Sequence, residues 1–390
     1  EMKIEISQRL KSLPPYLFAE IDRMKKEAII DGRDVIDLGV GDPDIPTPIH
    51  IIESLYESAQ NPRNHRYALN YGLVQLRREI ARWYNRRFSV ELDPDTEVLP
   101  LIGSKEGIAH IPLAFINPSD EALIPEPCYP PYKSGTIFAG GICHIMPLLE
   151  GNGFLPDLER IDPQVATRAK IMFINYPNNP TTAVADEGFF KQVVDFAKQY
   201  NIIVCHDAAY SEICFDGHKP LSFLQIDGAK EVGVEFHSLS KTFNMTGWRI
   251  GFATGNRDII KALGDVKANI DSGIFQAVQF AGIVALKTDE AHIEQLKQMY
   301  KSRRDILVNG LNEIGWKVPT PKATFYVWMP VPSGYTSVEL SKMLLEECDI
   351  VTTPGVGFGS NGEGYVRMAL TVSEERLEEA VDRIKKLHEK

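Results

Sequence analysis

The chain has 390 residues, of which 44% are hydrophobic and 24% charged, and this suits a folded protein large enough for two domains. Its formal net charge is −11, and neither acidic nor basic residues form a long block. These values argue against nucleic acid or an anionic membrane as the main partner, so an anionic ligand would need a local basic site.

The cysteines and the hydropathy pattern bear on location. The five cysteines are scattered and form neither a C-x-x-C pair nor a metal-ligand spacing. No run approaches the roughly 20 apolar residues of a membrane span, and residues 1–6 contain no apolar signal core. We therefore expect a cytoplasmic protein with reduced thiols, no metal site and no membrane or nucleic-acid partner.

The first part of the chain predicts three helices and one short strand. Residues 16–31 form an amphipathic helical pattern, and 35–41 read as a strand that ends in Gly41. A glycine there permits close approach of a ligand to the backbone, although an ordinary strand-to-turn exit explains it equally well. Helical patterns follow near 48–59 and 72–88.

Short apolar runs then alternate with helical segments. The strand-like runs are 98–102, 122–124, 171–174, 202–205, 235–238 and 250–253. The helical candidates between the earlier runs are 104–116, 130–139 and 186–200. This order indicates an α/β fold with a mostly parallel sheet that is covered on both faces. The last two strands are separated by too few residues for a crossover helix, so one of them should be antiparallel.

The C-terminal part predicts a smaller α/β domain. A long helical region spans about 274 to 312, and residues 316–390 then alternate strands and helices. The elements there are strands at 325–328 and 365–370, a helix near 337–347 and a charged terminal helix. We expect a large domain over 45–285 and a small domain built from 1–44 together with 286–390.

The strand at 235–238 leads into Ser238, Ser240 and Lys241, and Arg249 follows shortly afterwards. A lysine can form an imine with an aldehyde, while two hydroxyls and a guanidinium can hold a phosphate dianion. The set therefore suits a cofactor that carries both groups. The alternative is a strand end with a surface lysine.

Other strand ends carry groups that such a cofactor needs. Ser104 and Lys105 open a helix whose free N–H groups could bind phosphate, although Ser104 could equally be a plain N-cap. Tyr129 could stack on a flat heterocycle or be an ordinary loop tyrosine. Asn179 lies in a rigid turn that offers an amide.

The strand at 202–205 is followed by Asp207 and Tyr210. A carboxylate that leaves a buried strand needs a cationic or hydrogen-bonding partner, and a protonated pyridine nitrogen would serve. Tyr210 could then hydrogen-bond a phenolic oxygen of the same ring. Ligands of open α/β sheets bind at the carboxyl ends of the strands, where all these residues fall.

The pattern S-x-S-K-x₅-G-x-R-x-G over 238–251 resembles the lysine signature of the class I/II aminotransferases. These are fold type I enzymes that use pyridoxal 5'-phosphate (PLP), and the resemblance covers nearly the whole chain. It implies a large domain with a mostly parallel seven-stranded sheet and a smaller α/β domain. It also implies that Lys241 binds PLP covalently and serves as acid and base of the 1,3-proton shift.

The resemblance implies roles for the remaining cofactor contacts. Asp207 would pair with the pyridine nitrogen, and Tyr210 and Asn179 with the phenolic oxygen. Tyr129 and Ala209 would pack on the two faces of the ring. The residues around the phosphate would be Ser104, Lys105, Ser238, Ser240 and Arg249.

The family also implies contacts with the substrate and with a second subunit. Arg367 matches the arginine that grips the substrate α-carboxylate, and Gly41 matches a backbone contact to the same substrate. Tyr67 matches a tyrosine that reaches the partner's phosphate, which implies a homodimer. Thr182 stands where the family commonly has glycine, and this departure alters a turn.

Within that family the chain is similar to the LL-diaminopimelate aminotransferases, which transfer the amino group of L-glutamate to tetrahydrodipicolinate. The similar stretches are 13–18, 101–110, 173–180, 206–212 and 236–251. Residues 268–276 lack the second arginine that aspartate aminotransferases use for a distal carboxylate. By this resemblance the candidates for the distal substrate pocket are Tyr16, Lys105, Tyr129 and Ser272, and Asn179 is a further candidate for contact with the substrate.

Two other functions remain open at this point. One is a different class I aminotransferase for alanine, aromatic or branched substrates, or a related PLP lyase. The other is a non-catalytic PLP-sensing regulator, although such proteins carry a DNA-binding helical module and this chain is acidic.

Overall fold

The computed structural model describes residues 2–16, 19–68 and 71–389. Glu1, Leu17, Phe18, Leu69, Asn70 and Lys390 lie outside the described residues, and two of them, Leu17 and Phe18, belong to the helix predicted over 16–31.

Strands and helices alternate through most of the chain. The strands are β1 Ile36–Asp37, β2 Val98–Leu101, β3 Glu121–Glu126, β4 Ile142–Pro147, β5 Ala169–Asn175, β6 Ile203–Asp207, β7 Gly233–Ser238, β8 Gly251–Gly255, β9 Tyr326–Pro330, β10 Ile350–Val351, β11 Thr353–Pro354 and β12 Tyr365–Ala369. The helices are α1 Gln8–Lys11, α2 Ala19–Ile30, α3 Ile49–Ala59, α4 Val74–Phe88, α5 Ser104–Phe115, α6 Pro131–Phe138, α7 Pro163–Arg168, α8 Glu187–Tyr200, α9 Ala229–Val232, α10 Leu239–Thr242, α11 Arg257–Ala268, α12 Gln276–Leu286, α13 Glu290–Glu313, α14 Ser337–Cys348 and α15 Glu374–His388.

Seven strands form one sheet in the order β2-β8-β7-β6-β5-β3-β4. All neighbours are parallel except β8, which is antiparallel to both β2 and β7. The predicted α/β class, the mostly parallel seven-stranded sheet and its antiparallel member are confirmed. The sequence pattern did not locate β4. This edge strand is mostly exposed or half-buried, and His144 interrupts its apolar residues.

Alternate residues of the central strands fill cores on the two faces of this sheet. In β5, Ile171 and Phe173 join one core, and Met172 and Ile174 join the other. Helices cover both faces, so the central strands are apolar almost without interruption. This double cover fixes the strand ends, from which the candidate site is built.

A third core lies around a three-stranded antiparallel sheet of order β11-β12-β9. The N-terminal segment belongs to this region, because β1 pairs with β10 in parallel and Ile21 packs against Leu345 and Val351. The strand predicted over 35–41 is shorter than expected. It ends at Asp37, and the following residues form a loop that carries Gly41 toward the large sheet.

The long helical region predicted over 274–312 is divided into two helices. Two helices, α12 and α13, are separated at Lys287–Asp289, where the Asp289 side chain accepts a hydrogen bond of 2.9 Å from Ala291 N and caps α13. The apolar periodicity continues across this break, so hydropathy alone did not reveal it.

The five cysteines are free thiols. Among the described residues, none of the helices combines the length and the apolar character that a bilayer crossing demands.

Candidate active site

The carboxyl ends of the central strands open into a cavity of about 330 Å³ that the small three-stranded sheet closes from the other side. Most of the residues proposed from the sequence line it. They are Gly41, Ser104, Lys105, Tyr129, Asn179, Asp207, Ala209, Tyr210, Ser238, Ser240, Lys241, Arg249 and Arg367. Strand ends that are far apart in the sequence therefore meet at one place, as the parallel sheet predicts.

Lys241 lies on α10, the short helix that directly follows β7. Its Nζ donates a hydrogen bond of 2.8 Å to the carbonyl oxygen of Gly41 and lies 5.5 Å from the centroid of the Phe325 ring. Burial lowers the pKa of the Lys241 ammonium. A lowered pKa increases the fraction of neutral amine, which is the nucleophilic form of a lysine.

Asp207 ends β6 and is buried. Its Oδ2 accepts a hydrogen bond of 2.7 Å from the Tyr132 hydroxyl, and its Oδ1 accepts one of 3.3 Å from Ala209 N. Burial raises the pKa of the Asp207 carboxyl, because a charged form here lacks a cationic neighbour within hydrogen-bonding distance among the described side chains. This environment suits a ligand that brings a positive N–H group.

The corner suited to phosphate is formed by the start of α5, by α10 and by Arg249. Gly103 precedes α5 with φ +70°, and a Cβ there would lie 2.3 Å from Nη2 of Arg249. Arg249 is held by a 2.8 Å bond from its Nη1 to Thr246 O. Ser240 Oγ is buried and lacks a hydrogen-bond partner among the described residues, which leaves a donor for a ligand.

These features fit PLP. The phosphate corner offers a guanidinium, a free buried hydroxyl and the N–H groups at the start of a twelve-residue helix. The opposite end of the cavity offers the buried Asp207 carboxylate for a ring nitrogen. Lys241 lines the same cavity and offers the amine that an aldehyde would need.

Tyr210 is buried, and its hydroxyl lies 2.8 Å from the hydroxyl of Tyr326 on β9. Burial raises the pKa of Tyr210, and the adjacent Tyr326 adds to the effect. The loop that carries Gly41 lies close to Tyr326, because a Cβ at position 41 would lie 1.9 Å from the Tyr326 hydroxyl oxygen. Only glycine fits at position 41 in this arrangement.

Arg367 lies on β12 and is only 8% exposed. Its Nη1 donates a hydrogen bond of 2.7 Å to Asn179 Oδ1, and its Nη2 donates one of 3.0 Å to Gly39 O. Its Nε lacks a partner among the described residues. The guanidinium lies 4.2 Å from the centroid of Tyr326 and 4.7 Å from that of Phe358. A buried cation with spare N–H groups that faces a cavity suits a carboxylate ligand.

Three of the predicted residues do not line this cavity. Tyr16 is exposed, and its hydroxyl donates to Asp22. Ser272 is exposed on the loop after α11. Tyr67 is 87% exposed, and its backbone carbonyl accepts a bond of 3.3 Å from Gln276 Nε2.

Three residues that sequence reasoning missed belong to the site. Tyr132 holds Asp207, Tyr326 holds Tyr210, and Phe358 lies against Arg367. Tyr132 lies within a predicted helix and Tyr326 within a predicted strand, so each looked like an ordinary core aromatic. The only available signal for Tyr132 was its position one helical turn after Tyr129.

The chain matches a family model described as aminotransferase class I and II over residues 33–384. The LL-diaminopimelate aminotransferase of Syntrophobacter fumaroxidans is 60% identical over 381 residues, which cover 98% of each chain. The enzyme of the same name from Aquifex aeolicus is 56% identical over 98% of this chain and 99% of its own.

Solved structures agree in fold over almost the whole length. The substrate-bound BacF structure from Bacillus subtilis has a TM-score of 0.94 and 45% identity, and the match covers 99% of this chain and 98% of that one. An aspartate aminotransferase double mutant from Thermus thermophilus has a TM-score of 0.92 and 28% identity, covering 99% and 100%.

Proposed function

The chain belongs to the aminotransferase class I and II family, and on that premise we propose that it uses PLP to move the amino group of L-glutamate to tetrahydrodipicolinate. The products are LL-2,6-diaminopimelate, a precursor of lysine, and 2-oxoglutarate. The observation that carries the proposal is the single cavity that joins Lys241, Asp207 and Arg367. The 60% identity to a named LL-diaminopimelate aminotransferase supports the choice of substrate.

When it is bound, PLP supplies an aldehyde for amine exchange and a protonated ring that accepts electron density. Asp207 would keep the ring nitrogen protonated, because its buried carboxylate is stabilised by a cationic N–H. Tyr132 orients that carboxylate through its 2.7 Å hydrogen bond. As the base and then the acid of the 1,3-proton shift, Lys241 Nζ would take a proton from the substrate Cα and deliver it two atoms further along.

Arg367 would bind the substrate α-carboxylate in a bidentate fork, with Asn179 and the Gly39 carbonyl fixing the guanidinium plane. The Gly41 carbonyl contacts Lys241 Nζ, so the same loop would meet the substrate backbone. These residues orient the Cα–H bond and exclude water, and orientation of this kind accounts for much of catalysis.

The distal end of the substrate would meet Lys105 and Tyr129. Lys105 is exposed at the rim of the cavity, and Tyr129 is half-buried beside it. A lysine can donate hydrogen bonds to the distal carboxylate of glutamate or of diaminopimelate, while a tyrosine hydroxyl can accept a hydrogen bond from the distal amino group. Tyr16 and Ser272 would join this pocket only if neighbouring segments or a second subunit approach them.

We infer that the active unit is a cytoplasmic homodimer in which Tyr67 reaches the partner's phosphate corner. Exposed apolar side chains support an interface here, since Ile49, Ile52 and Tyr56 on α3 lie exposed together with Tyr67. We also infer that 45–285 act as the large domain and that 1–44 with 286–390 act as the small one, in keeping with the pairing of β1 with β10.

The substrate proposal is tested with purified PLP-loaded protein, L-glutamate and tetrahydrodipicolinate, by coupled detection of 2-oxoglutarate. We expect turnover with this pair and little with alanine, branched or aromatic donors. The absence of turnover with this pair, together with brisk transamination of alanine or tyrosine, would replace the diaminopimelate proposal with the corresponding class I activity.

The dimer proposal is tested by mixing inactive variants. Tyr67→Ala and Lys241→Ala subunits should each be poorly active alone. Refolded together, they should regain activity, because a mixed dimer holds one site with both residues intact. Activity that stays at the level of the separate variants would contradict a contribution of Tyr67 across the interface.

A further inference from the structure

Glu126 is a buried carboxylate at the end of β3 that the proposed chemistry does not use. It is 4% exposed, and its Oε1 accepts three hydrogen bonds from one short segment of the small region. The donors are Ser360 Oγ at 3.0 Å, Asn361 N at 3.1 Å and Asn361 Nδ2 at 2.8 Å. A strand of the large sheet therefore holds the connection between β11 and β12.

The contact between Glu126 and this connection requires a glycine. Gly359 has φ +117°, and a Cβ there would lie 2.3 Å from both Cγ and Cδ of Glu126. The neighbouring backbone adds a further link, because Cys128 N donates a hydrogen bond of 3.0 Å to Phe358 O. The segment 358–361 is thus fitted closely against residues 126–128.

The charge of Glu126 is balanced on its other side. Its Oε2 accepts a hydrogen bond from Lys133 Nζ on α6, and the lysine side chain is largely buried. Burial acts to raise the pKa of Glu126, but Lys133 and Asn361 together hold it below its usual value. The carboxylate therefore stays ionised and accepts all these donors at once.

The tethered segment reaches the active cavity through Phe358. This ring is 7% exposed, lines the cavity and lies 4.7 Å from the guanidinium carbon of Arg367. Trp328 packs edge-on against it at 6.2 Å between centroids. A shift of the segment would move one of the two aromatic faces that flank Arg367.

We propose that Glu126 is a positioning residue for substrate binding, because it anchors residues 358–361 so that Phe358 holds the Arg367 guanidinium toward the substrate carboxylate. The role rests on the proposed function of Arg367. Glu126 itself touches neither the cofactor cradle nor the substrate position, so its effect is on the affinity for α-amino acids.

Three variants test this. Glu126→Gln keeps the shape of the side chain, but its amide cannot accept hydrogen bonds from both Lys133 and residues 360–361. Ser360→Ala combined with Asn361→Ala removes two donors at positions that are exposed or half-buried, and this pair serves if Glu126→Gln does not fold. Glu121→Gln is the matched control, because Glu121 lies on the same strand, is 8% exposed and pairs with Arg168 at 2.8 Å, away from the cavity.

The first readout is amide hydrogen exchange of residues 355–364 in the PLP-loaded protein. We expect about tenfold faster exchange in both test variants and unchanged exchange in the control. The second is steady-state kinetics, where KM for the amino donor should rise about tenfold with a smaller change in kcat. The affinity for PLP and the absorbance of the bound cofactor should stay at the wild-type values.

Unchanged exchange of 355–364, or unchanged KM, in variants that fold would overturn the proposal. A loss of PLP affinity equal to the loss of donor affinity would also overturn it, since that would indicate general damage to the site. Failure of the diaminopimelate proposal gives a different result. The wild type would then use another amino donor, and KM for that donor would be compared between the wild type and the variants. The hydrogen-exchange readout needs no substrate, so it tests the role of Glu126 in either case.

Discussion

The two halves of the active cavity are held together in different ways. In the half built on the large sheet, Asp207 is the last residue of β6, and Lys241 lies on α10, which directly follows the adjacent strand β7. The register of these two strands therefore places both residues. In the other half, Arg367 is fixed by Asn179 and by Gly39, which lie 188 and 328 residues away along the chain.

This difference predicts different sensitivities. The first half depends on a sheet whose two faces are packed, and such a framework is rigid. The second depends on how the small sheet, the N-terminal loop and the large sheet fit together, and such contacts can open and close. Changes in the first half should alter the chemical step, and changes in the second should alter substrate binding.

The largest effect is expected for Asp207→Asn, which tests the rigid half. The variant should keep PLP but lose roughly 100-fold or more in kcat, because a neutral amide no longer stabilises a protonated ring. Absorbance of the bound cofactor and steady-state kinetics measure the two properties separately. Near-normal kcat would remove Asp207 from the chemical step.

The same variant has an expected effect on stability. Burial raises the pKa of Asp207 above the usual 3.8, so the folded cofactor-free protein binds more protons than the unfolded chain as pH rises past that value. Its stability then falls as pH rises through this window, and the ionised carboxylate costs stability at neutral pH. Cofactor-free Asp207→Asn should therefore have a higher Tm than the cofactor-free wild type at pH 7, with a smaller difference near pH 4. A lower Tm at pH 7 would contradict the burial cost.

Arg367→Lys tests the second half and should have the next largest effect. Lysine offers one point charge, so it cannot bond Asn179 and Gly39 while also forming a fork with a carboxylate. We expect KM for amino donors to rise about 10- to 100-fold, with a smaller change in kcat. Arg304→Lys is the control, because Arg304 is equally buried but pairs with Asp216 outside the cavity. An unchanged KM for every donor would argue against the carboxylate grip.

The two halves also differed in how far the sequence revealed them. The residues proposed to bind the cofactor, from Ser104 to Arg249, follow apolar strands or open helices, so a local pattern was enough to place them at one sheet edge. Tyr326 and Phe358 come from the small region, and their partners depend on packing that no local pattern encodes. The edge strand β4 was missed because His144 interrupts its apolar residues, and the break after α12 was missed because the apolar periodicity continues across it.

Tyr326 joins the two halves, and Tyr326→Phe should have the smallest effect. The ring that faces Arg367 at 4.2 Å remains, while the hydroxyl that lies 2.8 Å from Tyr210 is lost. One hydrogen bond of about 1 kcal/mol corresponds to a decrease in kcat of roughly fivefold, and KM should stay within about twofold. Kinetics with a single amino donor measure both constants.

Tyr300→Phe is the matched control for that measurement. Tyr300 is fully buried in the same core, and its hydroxyl lacks a hydrogen-bond partner among the described residues, so its removal should change neither constant. If Tyr326→Phe instead raised KM and left kcat unchanged, the hydroxyl would act on substrate binding. The boundary between the two halves would then lie between Tyr210 and Tyr326, so that Tyr326 would belong wholly with Arg367.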